Sequence, residues 1–273
     1  MRSHLHVAVL LACHNRKKTT IHCLESLYAA KPSNWNLKIY LVDDGSTDGT
    51  GDAVEQFDPT IQIIKGDGNW YWAHSMYQAE MAIKEPHDAI MWLNDDTKLD
   101  IDSLRKIDFQ LALNPDSILI GQFKSSSSDN LTYGGYKKYD RHPFHFKNVL
   151  AQDELLPVDT FNGNLVLIPI TVSRKIGSID GEYAHAYADI DFGLRARSVG
   201  IKLGVVPGFI GDCDKSDPAI YNNLIQELRA LVSTKSSPIK SQIRYLRRHG
   251  DHFWPIYLVA PFIRTIFRSK SKD

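Results

Sequence analysis

An alternation of short apolar runs with segments of helical periodicity constrains the fold of this chain more than any other feature. The apolar runs cover residues 5–13, 37–42, 61–64, 89–93 and 118–122, with amphipathic segments between them. Apolar runs of this kind are typical of strands that are buried on both faces. Because strands that alternate with helices need crossover connections, we predict an α/β fold with a mostly parallel, doubly wound sheet over residues 5–123.

A polar cluster follows four of these runs, at the point where each predicted strand ends. The clusters are His14-Asn15-Arg16, Asp43-Asp44, Gly68-Asn69 and Asn94-Asp95-Asp96. In open α/β sheets, ligands bind beyond the carboxyl ends of the strands. We therefore predict that the four clusters meet at one ligand-binding rim.

The regular alternation ends near residue 123. Two adjacent glycines at 134–135 predict a turn or hairpin, and a strand is predicted over 164–168, a helix over 190–199 and a strand over 201–206. Helical patterns cover 219–232 and the chain from residue 240 onward. We expect a single domain over residues 1–215, divided into halves at residue 123, and a helical extension over 216–273.

The charge of the chain is balanced overall but unevenly distributed. The 273 residues contain 32 lysines and arginines and 32 aspartates and glutamates, and 43% of the residues are hydrophobic. These values exclude a collagenous or mostly disordered chain, and they disfavour nucleic acid as the main partner. Residues 235–273, however, contain nine lysines and arginines against two acids, so a basic segment follows a slightly acidic body.

Cysteine usage and the lengths of the apolar runs indicate a cytoplasmic protein. The three cysteines have no paired spacing, which is typical of free thiols in a reducing compartment. The first apolar run lacks the features of a secretion signal. The late apolar stretch over 253–267 is interrupted by Pro255, Pro261 and Arg264, so we expect it not to span a bilayer.

Two acidic pairs admit both a structural and a functional interpretation. Asp95 and Asp96 can cap the following helix or can supply carboxylate ligands to Mg²⁺ or Mn²⁺, and their place at the end of the fourth strand favours the metal. Asp43 and Asp44 can form an ordinary turn, or can accept hydrogen bonds from a nucleobase or ribose. No glycine-rich phosphate loop follows the first strand, so bound phosphates would need another positive charge, which a metal on Asp96 supplies.

Five motifs in this order resemble those of family 2 glycosyltransferases, which have the GT-A fold. The motifs lie at residues 13–16 (CHNR), 42–50 (VDDGSTDGT), 93–97 (LNDDT), 161–164 (FNGN) and 188–197 (ADIDFGLRAR). The resemblance covers residues 5–213 and is closest to the bacterial branch that includes rhamnosyl- and galactofuranosyltransferase-like enzymes. It implies a nucleotide-binding half over 1–123 and an acceptor-binding, catalytic half over 124–215.

The resemblance implies a nucleotide-diphosphate sugar as donor, a divalent cation and a catalytic base. The implied donor-binding residues are His14, Asn15, Arg16, Asp43, Asp44, Gly68, Asn69 and Asp95. The family's metal-binding Asp-x-Asp falls on residues 94–96, so the cation (Mn²⁺ or Mg²⁺) is expected on Asp96, with Asp95 beside it. The family's base falls on Asp189, which can alternatively be a helix cap. A carboxylate near a helix N-terminus is expected to stay ionised at neutral pH.

Two departures from the family pattern concern the metal and the sugar. Relatives place a metal-binding histidine shortly after the late strand, where this chain has Asp212, Cys213 and Asp214 as candidate substitutes. Trp70, Tyr71 and Trp72 stand where relatives have small residues, and they predict an aromatic wall against the sugar. The expected acceptor-side residues are Trp70, Trp72, Asn162, Gly163, His185 and Asp191. An ion pair between Asp191 and Arg195 at i,i+4 is expected to contribute little energy.

These features together predict an inverting, metal-dependent glycosyltransferase of cell-surface polysaccharide synthesis. Its acceptor is expected to be a glycan or a lipid-linked glycan. The basic segment over 235–273, with arginines at 244, 247 and 248 and aromatics nearby, predicts contact with an anionic membrane at the inner face of the cytoplasmic membrane, or simple packing on the body. A sugar nucleotidyltransferase and a non-catalytic nucleotide- or glycan-binding relative are the alternative functions.

Overall fold

The computed structural model describes residues 4–184, 186–215, 224–231 and 238–270. The strands are β1 (Leu5–Cys13), β2 (Trp35–Asp43), β3 (Gln62–Lys65), β4 (Ala89–Leu93), β5 (Lys98–Leu99), β6 (Ser117–Ile120), β7 (Phe123–Ser125), β8 (Ser128–Tyr133), β9 (Gly135–Lys138), β10 (Phe146–Val149), β11 (Leu156–Pro157), β12 (Thr160–Phe161), β13 (Leu165–Pro169), β14 (Lys202–Val205) and β15 (Gly211–Asp212). The helices are α1 (Lys17–Ala30), α2 (Thr50–Phe57), α3 (Tyr71–Met81), α4 (Ser103–Leu113), α5 (Ile170–Ile176), α6 (Ala188–Ser198), α7 (Leu224–Ala230), α8 (Ile239–His249) and α9 (Trp254–Lys270).

The central sheet has eight strands in the order β11-β14-β6-β13-β4-β1-β2-β3. The four strands β3, β2, β1 and β4 pair in parallel, as the alternation of runs and helices predicts. Between β4 and β6 lies β13, which is antiparallel to both neighbours. The chain leaves β6 at the carboxyl edge of the sheet and re-enters through β13 without a crossover helix between β12 and β13, so β13 must run in the opposite direction.

Side chains of β1 alternate between two hydrophobic clusters, one on each face of the sheet. Val7, Val9 and Leu11 belong to a cluster that α1 and α4 complete. Ala8 and Leu10 belong to a second cluster, which α3, α6 and α8 complete. Helices therefore cover both faces of the sheet, and the predicted α/β fold class is confirmed.

Two smaller sheets extend the carboxyl edge of the central sheet. One has the order β10-β9-β12 and the other the order β5-β15-β7-β8. Of the turn or hairpin predicted around residues 134–135, the hairpin does not form, because β8 pairs with β7 whereas β9 pairs with β10 and β12. The turn at Gly134 instead carries the chain from one small sheet to the other.

By residue type, Thr19 and Thr20 are candidates for the N-cap of the first helix. Helix α1 begins earlier, at Lys17, and its N-cap residue, Arg16, makes no side-chain cap hydrogen bond. Thr20 is buried inside the helix, and its hydroxyl donates to Asp95 instead. The hydroxyl therefore bonds to a residue that is distant in the sequence and does not cap the helix.

The C-terminal helices differ in how deeply they are buried. Tyr245 and Leu246 of α8 are completely buried in the second core cluster. The predicted helix over 219–232 lies partly outside the described residues, and α7 covers its described part. Within the described residues, no helix is both long and apolar enough to cross a membrane.

Candidate active site

A cavity of about 610 Å³ opens beyond the carboxyl ends of β1, β2 and β4. Ten of the predicted site residues line it: His14, Arg16, Asp44, Gly68, Trp72, Asp95, Asp96, Asn162, Gly163 and Asp189. Residues from the clusters that follow all four parallel strands, together with a carboxylate from α6, therefore meet at one rim, as predicted. The roles of these residues toward a donor or acceptor stay predictions.

Several predicted residues lie away from this cavity. Asp43 lines a neighbouring cavity of about 630 Å³, where its carboxylate accepts the N–H of Ser46 in a turn. Asn15 accepts the N–H of Thr47, and the N–H of Asn69 donates to the side chain of Asp67. The hydrogen bonds of these three residues therefore stabilise the loops that follow the strands. His185 lies outside the described residues.

Apart from Tyr71 and Asn94, which belong to predicted clusters, five cavity-lining residues had not been predicted as site residues. They are Ala12, Cys13, Ser75, Tyr133 and Asn164. Cys13 and Asn164 lie within or beside the quoted motifs, so their position was a usable signal. Ser75 and Tyr133 lie on α3 and at the end of β8, and no local pattern distinguishes them from other residues of those elements.

The buried carboxylate of Asp44 joins the loops that follow β2 and β3. One oxygen accepts the N–H of Gly68 at 2.8 Å, and the other accepts the N–H of Tyr71 at 3.0 Å. The ring of His14 contacts the carbonyl oxygen of Asp44 through Nδ1 at 2.5 Å. Gly45 has a φ of +68°, and a Cβ there would lie 2.8 Å from the nitrogen of Gly68. Only glycine allows this close approach of the two loops.

Arg16 bridges the two acids at the end of β4. Its Nη1 donates to Asp95 Oδ1 at 3.1 Å and to Asp96 Oδ2 at 2.8 Å. Burial raises the pKa of Asp95 to about 6 even though the Arg16 charge opposes this, and the nearby Asp96 raises it further. Arg16, which we had assigned to the nucleotide, thus supplies the positive charge that the acid pair requires.

The donor set of this acid pair fits a divalent cation that shares its coordination with a substrate. Among the described residues, no group of three or more His, Cys, Asp or Glu side chains is arranged to hold a metal ion. Mg²⁺ commonly uses one or two carboxylates and takes its other ligands from phosphates and water. Asp95 and Asp96 meet that requirement, and the guanidinium of Arg16 occupies the place of a cation between them.

Of the three candidates for the missing histidine, Cys213 is in contact with the acid pair. Its Sγ lies 3.6 Å from Asp96 Oδ1. Burial, together with the charge of Asp96, raises the pKa of this thiol, so the free thiol keeps its proton at neutral pH, and its role as a metal ligand stays a prediction. The carboxylate of Asp214 is instead held by Ser125 and Ser126.

Asp189 lies in the first turn of α6, inside the helix and not at its cap. Its Oδ2 accepts the N–H of Gly163 at 3.1 Å, and its Oδ1 accepts the N–H of Ile190 at 2.8 Å. Burial raises the pKa of Asp189 against the opposing effect of these backbone donors. Desolvation therefore outweighs the backbone donors in this first helical turn, and the expectation that Asp189 stays ionised at neutral pH stays a prediction. A base with a raised pKa binds a proton more tightly.

Trp72 forms one wall of the cavity. Its Nε1 donates to Asn94 Oδ1 at 2.8 Å, and its ring meets Trp92 edge-on, with 5.9 Å between the ring centroids. A Cβ on Gly163 would lie 2.6 Å from Trp72, so the indole lies directly against that backbone. Trp70 packs on His74 outside the cavity lining, so Tyr71 and Trp72 of the predicted aromatic wall line the cavity and Trp70 does not.

Asp191, which we predicted on the acceptor side, does not line the cavity. Its side chain is completely buried and accepts hydrogen bonds from Arg195, Arg248, His249 and Tyr183. For the arginines at 244, 247 and 248 we predicted membrane contact or packing on the body, and Arg244 and Arg248 pair with acids of the body. The Asp191–Arg195 pair belongs to this buried network, so it is not the minor surface pair that we expected.

The fold is the GT-A fold of glycosyltransferases, and solved structures of such enzymes share it. A mannosyltransferase from Pyrobaculum calidifontis, in complex with GDP-Man and Mn²⁺, matches with a TM-score of 0.58 and 14% identity over 98% of this chain and 75% of its own. Residues 1–349 of S. aureus TarS, in complex with UDP-GlcNAc, match with a TM-score of 0.60 and 13% identity over 96% of this chain and 81% of that one.

A third structure, GalNAc-T7 with UDP, GalNAc and Mn²⁺, has a TM-score of 0.66 and 15% identity, over 93% of this chain and 50% of its own. At these identities the neighbours establish the fold alone. The model of the family described as glycosyl transferase family 2 matches residues 8–168, more than half of the chain. The chain therefore belongs to family 2 of the glycosyltransferases and is a glycosyltransferase. No curated protein sequence matches it.

Proposed function

We propose that this glycosyltransferase is an inverting, metal-dependent enzyme that moves a sugar from a nucleotide-diphosphate sugar to a hydroxyl of a glycan or lipid-linked glycan. One observation carries the proposal: the acid pair Asp95 and Asp96 and the carboxylate of Asp189 line the same cavity. The neighbours solved with GDP-Man and Mn²⁺ and with UDP-GlcNAc support a nucleotide sugar and a divalent cation. A rhamnosyl- or galactofuranosyl-type specificity and a role in cell-surface polysaccharide synthesis stay predictions.

The acid pair and Arg16 provide the donor end of the reaction. Asp95 and Asp96 would hold the divalent cation, which neutralises the negative charge that develops on the leaving diphosphate. Arg16 lies within hydrogen-bond distance of both acids, so its guanidinium is placed to pair with a phosphate oxygen when the carboxylates have another cation.

Asp189 provides the acceptor end. It takes the proton from the acceptor hydroxyl as that oxygen bonds to the anomeric carbon, while the bond from this carbon to the diphosphate oxygen breaks. The nucleoside diphosphate leaves with the bonding electrons. Attack and departure on opposite faces invert the anomeric centre in a single displacement, so no covalent nucleophile is required. The N–H groups of Gly163 and Ile190 fix the carboxylate in place.

The experiment is a donor panel scored by thermal unfolding. Wild-type protein and Asp96→Ala are each melted with nucleotide sugars that vary the base and the sugar, with and without Mn²⁺. We expect one donor to raise the melting temperature of wild-type protein only when Mn²⁺ is present, since saturation at 100 times Kd stabilises by about 2.7 kcal/mol. Failure of every donor to stabilise wild type, or equal stabilisation of Asp96→Ala, contradicts the proposal.

We also propose that α9 rests on an anionic lipid surface, at the inner face of the cytoplasmic membrane. One side of α9 packs on the body through Trp254, Tyr257 and Leu258. The opposite side exposes an apolar stripe: Ile256, Val259, Ile263, Ile266 and Phe267. Apart from Arg244 and Arg248, which pair with acids of the body, residues 238–270 contain five lysines and arginines and one acid, so two copies of this segment would repel each other, whereas an anionic surface attracts it.

Vesicle sedimentation tests this docking with a matched pair of substitutions. Ile256 and Ile101 are exposed to similar extents, 61% and 63%, but Ile101 lies on the body, before α4. Ile256→Glu should lose sedimentation with phosphatidylglycerol vesicles, whereas Ile101→Glu should keep it, and neither protein should bind phosphatidylcholine. Equal sedimentation of the two variants, or no sedimentation of wild type, contradicts the membrane proposal.

A further inference from the structure

We propose that α8 positions the catalytic base: through its contacts with Asp191 and the segment before α6, it holds the first helical turn that carries Asp189. This proposal rests on the role of Asp189 under the proposed function. Asp191 and Asp189 lie two residues apart in that turn, one toward α8 and the other toward the cavity. Within the described part of the chain, the hydrogen bonds of Arg248 go to Asp191 and Asp180 and to no residue of the cavity lining, so Arg248 is a positioning residue.

The first turn of α6 has little local support. Its N-cap residue is Tyr187, which makes no side-chain cap hydrogen bond and has a φ of +78°. A φ in this region is costly for a residue other than glycine, and it persists only where surrounding contacts impose it. The orientation of this turn therefore depends on tertiary contacts.

Asp191 receives the strongest of those contacts from the end of α8. Nη1 of Arg248 lies 2.7 Å from both carboxylate oxygens, and Nε2 of His249 lies 2.8 Å from Oδ1. Nε of Arg195, from α6 itself, adds a hydrogen bond of 2.9 Å to Oδ2. Burial opposes the charge of Asp191, but these partners lower its pKa to about 2, so the ion pairs persist at neutral pH.

The same side of α8 also holds the segment that leads into α6. Arg244 Nε donates to Asp180 Oδ2 at 2.7 Å, and Ser241 Oγ accepts the N–H of Ala184 at 3.1 Å. The ring of Tyr245 stacks on Tyr187, the N-cap residue, with 5.2 Å between centroids. The α8 residues 241, 244, 245 and 248 have the spacing of one helical face.

Asp189 is thus held from two sides. Its Oδ2 accepts the N–H of Gly163 on the cavity side, while Asp191 ties the same turn to α8. Release of the α8 contact would let the turn shift relative to Gly163 and to an acceptor hydroxyl. A misplacement of about 1 Å at a reacting group can cost about 10²-fold in rate.

The experiment compares Arg248→Met with Arg247→Met, the same substitution one residue earlier on the same helix. Arg247 lies over the ring of Trp254 and contacts neither Asp180 nor Asp191 within the described structure. At equal folded fraction, we expect Arg248→Met to lower kcat by about 10-fold or more with the donor KM unchanged, Arg248→Lys to recover part of kcat, and Arg247→Met to keep it. A rise in donor KM in step with the loss of kcat, or wild-type kcat in Arg248→Met, overturns the proposal.

Two further variants keep the test decisive. If Arg248→Met does not fold, Arg244→Met removes the half-exposed contact to Asp180, and it should show the same fall in kcat at unchanged donor KM to a smaller degree; unchanged kcat there overturns the proposal. Asp189→Asn separates the two hypotheses. If Asp189→Asn retains turnover, the assignment of the base is wrong, whereas if only Arg248→Met and Arg244→Met retain it, the positioning proposal alone is wrong.

Discussion

Two sides of one helical turn differ sharply in α6. On the cavity side, Asp189 is held by backbone N–H groups, and burial raises its pKa. On the α8 side, Asp191 is also buried, yet its charged partners Arg248, His249 and Arg195 lower its pKa to about 2. The two side chains are identical and lie two residues apart, so their neighbours alone decide which carboxylate can accept a proton.

The two carboxylates of this turn therefore have different roles, one in the chemistry and one in the structure. A carboxylate without a cationic partner can take up a proton during a reaction, whereas one held by arginines stays ionised and serves as an anchor. Among the described residues, no ion pair reaches Asp189. The following substitutions test that division.

The largest expected effect is on stability, at Asp191. Asp191→Asn leaves Arg248 and Arg195 facing a neutral amide in a buried site, and we expect the free energy of unfolding to fall by about 3 kcal/mol. Asp189→Asn removes no charged partner and should change it by less than about 1 kcal/mol. Urea denaturation of both variants measures this contrast, and equal losses would remove the distinction between the two sides.

The second effect concerns acid pH. Because the pKa of Asp191 is lowered from 3.8 to about 2 in the folded protein, its contribution to stability is present above pH 4 and is lost as the pH falls toward 2. The difference corresponds to about 2 kcal/mol. We expect Asp191→Asn to show a shallower loss of stability than wild type over this pH range, and parallel curves would contradict the lowered pKa.

Asp189 should act in the opposite sense. A carboxyl group with a raised pKa stabilises the fold fully below its unfolded pKa, and this contribution is lost as the pH rises through the folded pKa. Because Asp189 must be ionised to accept a proton, the transfer rate should fall as the pH is lowered. The raised pKa should place this fall at a higher pH than for an ordinary carboxyl group. A rate that stays constant down to pH 4 would contradict this behaviour.

The smallest expected effect is at Tyr183, whose hydroxyl donates to Asp191 Oδ1 at 3.2 Å. Tyr183→Phe removes one hydrogen bond among several, so we expect a loss of about 1 kcal/mol in the free energy of unfolding and an unchanged kcat. Tyr245→Phe, which loses a bond to the carbonyl of Pro143, is the matched control for an equivalent hydroxyl. A large fall in kcat for Tyr183→Phe would place Asp191 in the chemistry.

The sequence could predict the residues of the rim but not the buried contacts of Asp191, because those contacts join residues that lie far apart in the chain. Asp95 and Asp96 directly follow an apolar run, so the end of β4 is readable from neighbouring residues. Asp191 meets Arg248 and His249, which lie 57 and 58 residues further along the chain, and no local pattern joins them. An i,i+4 pair with Arg195 was visible, but its burial was not.

The direction of β13 and the role of the Thr20 hydroxyl could not be predicted from the sequence for a related reason. The apolar residues of β13 indicate a buried strand, but they do not state that it enters between β4 and β6 in the opposite direction. The hydroxyl of Thr20 is a plausible local cap until Asp95, 75 residues away, is close enough to accept it. Arg16 likewise follows β1 in the sequence, yet its partners are the acids after β4.

The most direct test of the central claim is the turnover of Asp189→Asn, measured beside its affinity for the donor at equal folded fraction. The account predicts a loss of transfer of about 10²-fold or more with donor affinity unchanged, because the cavity keeps its acid pair and loses only its proton acceptor. Turnover within about twofold of wild type, at the same donor affinity, would contradict it.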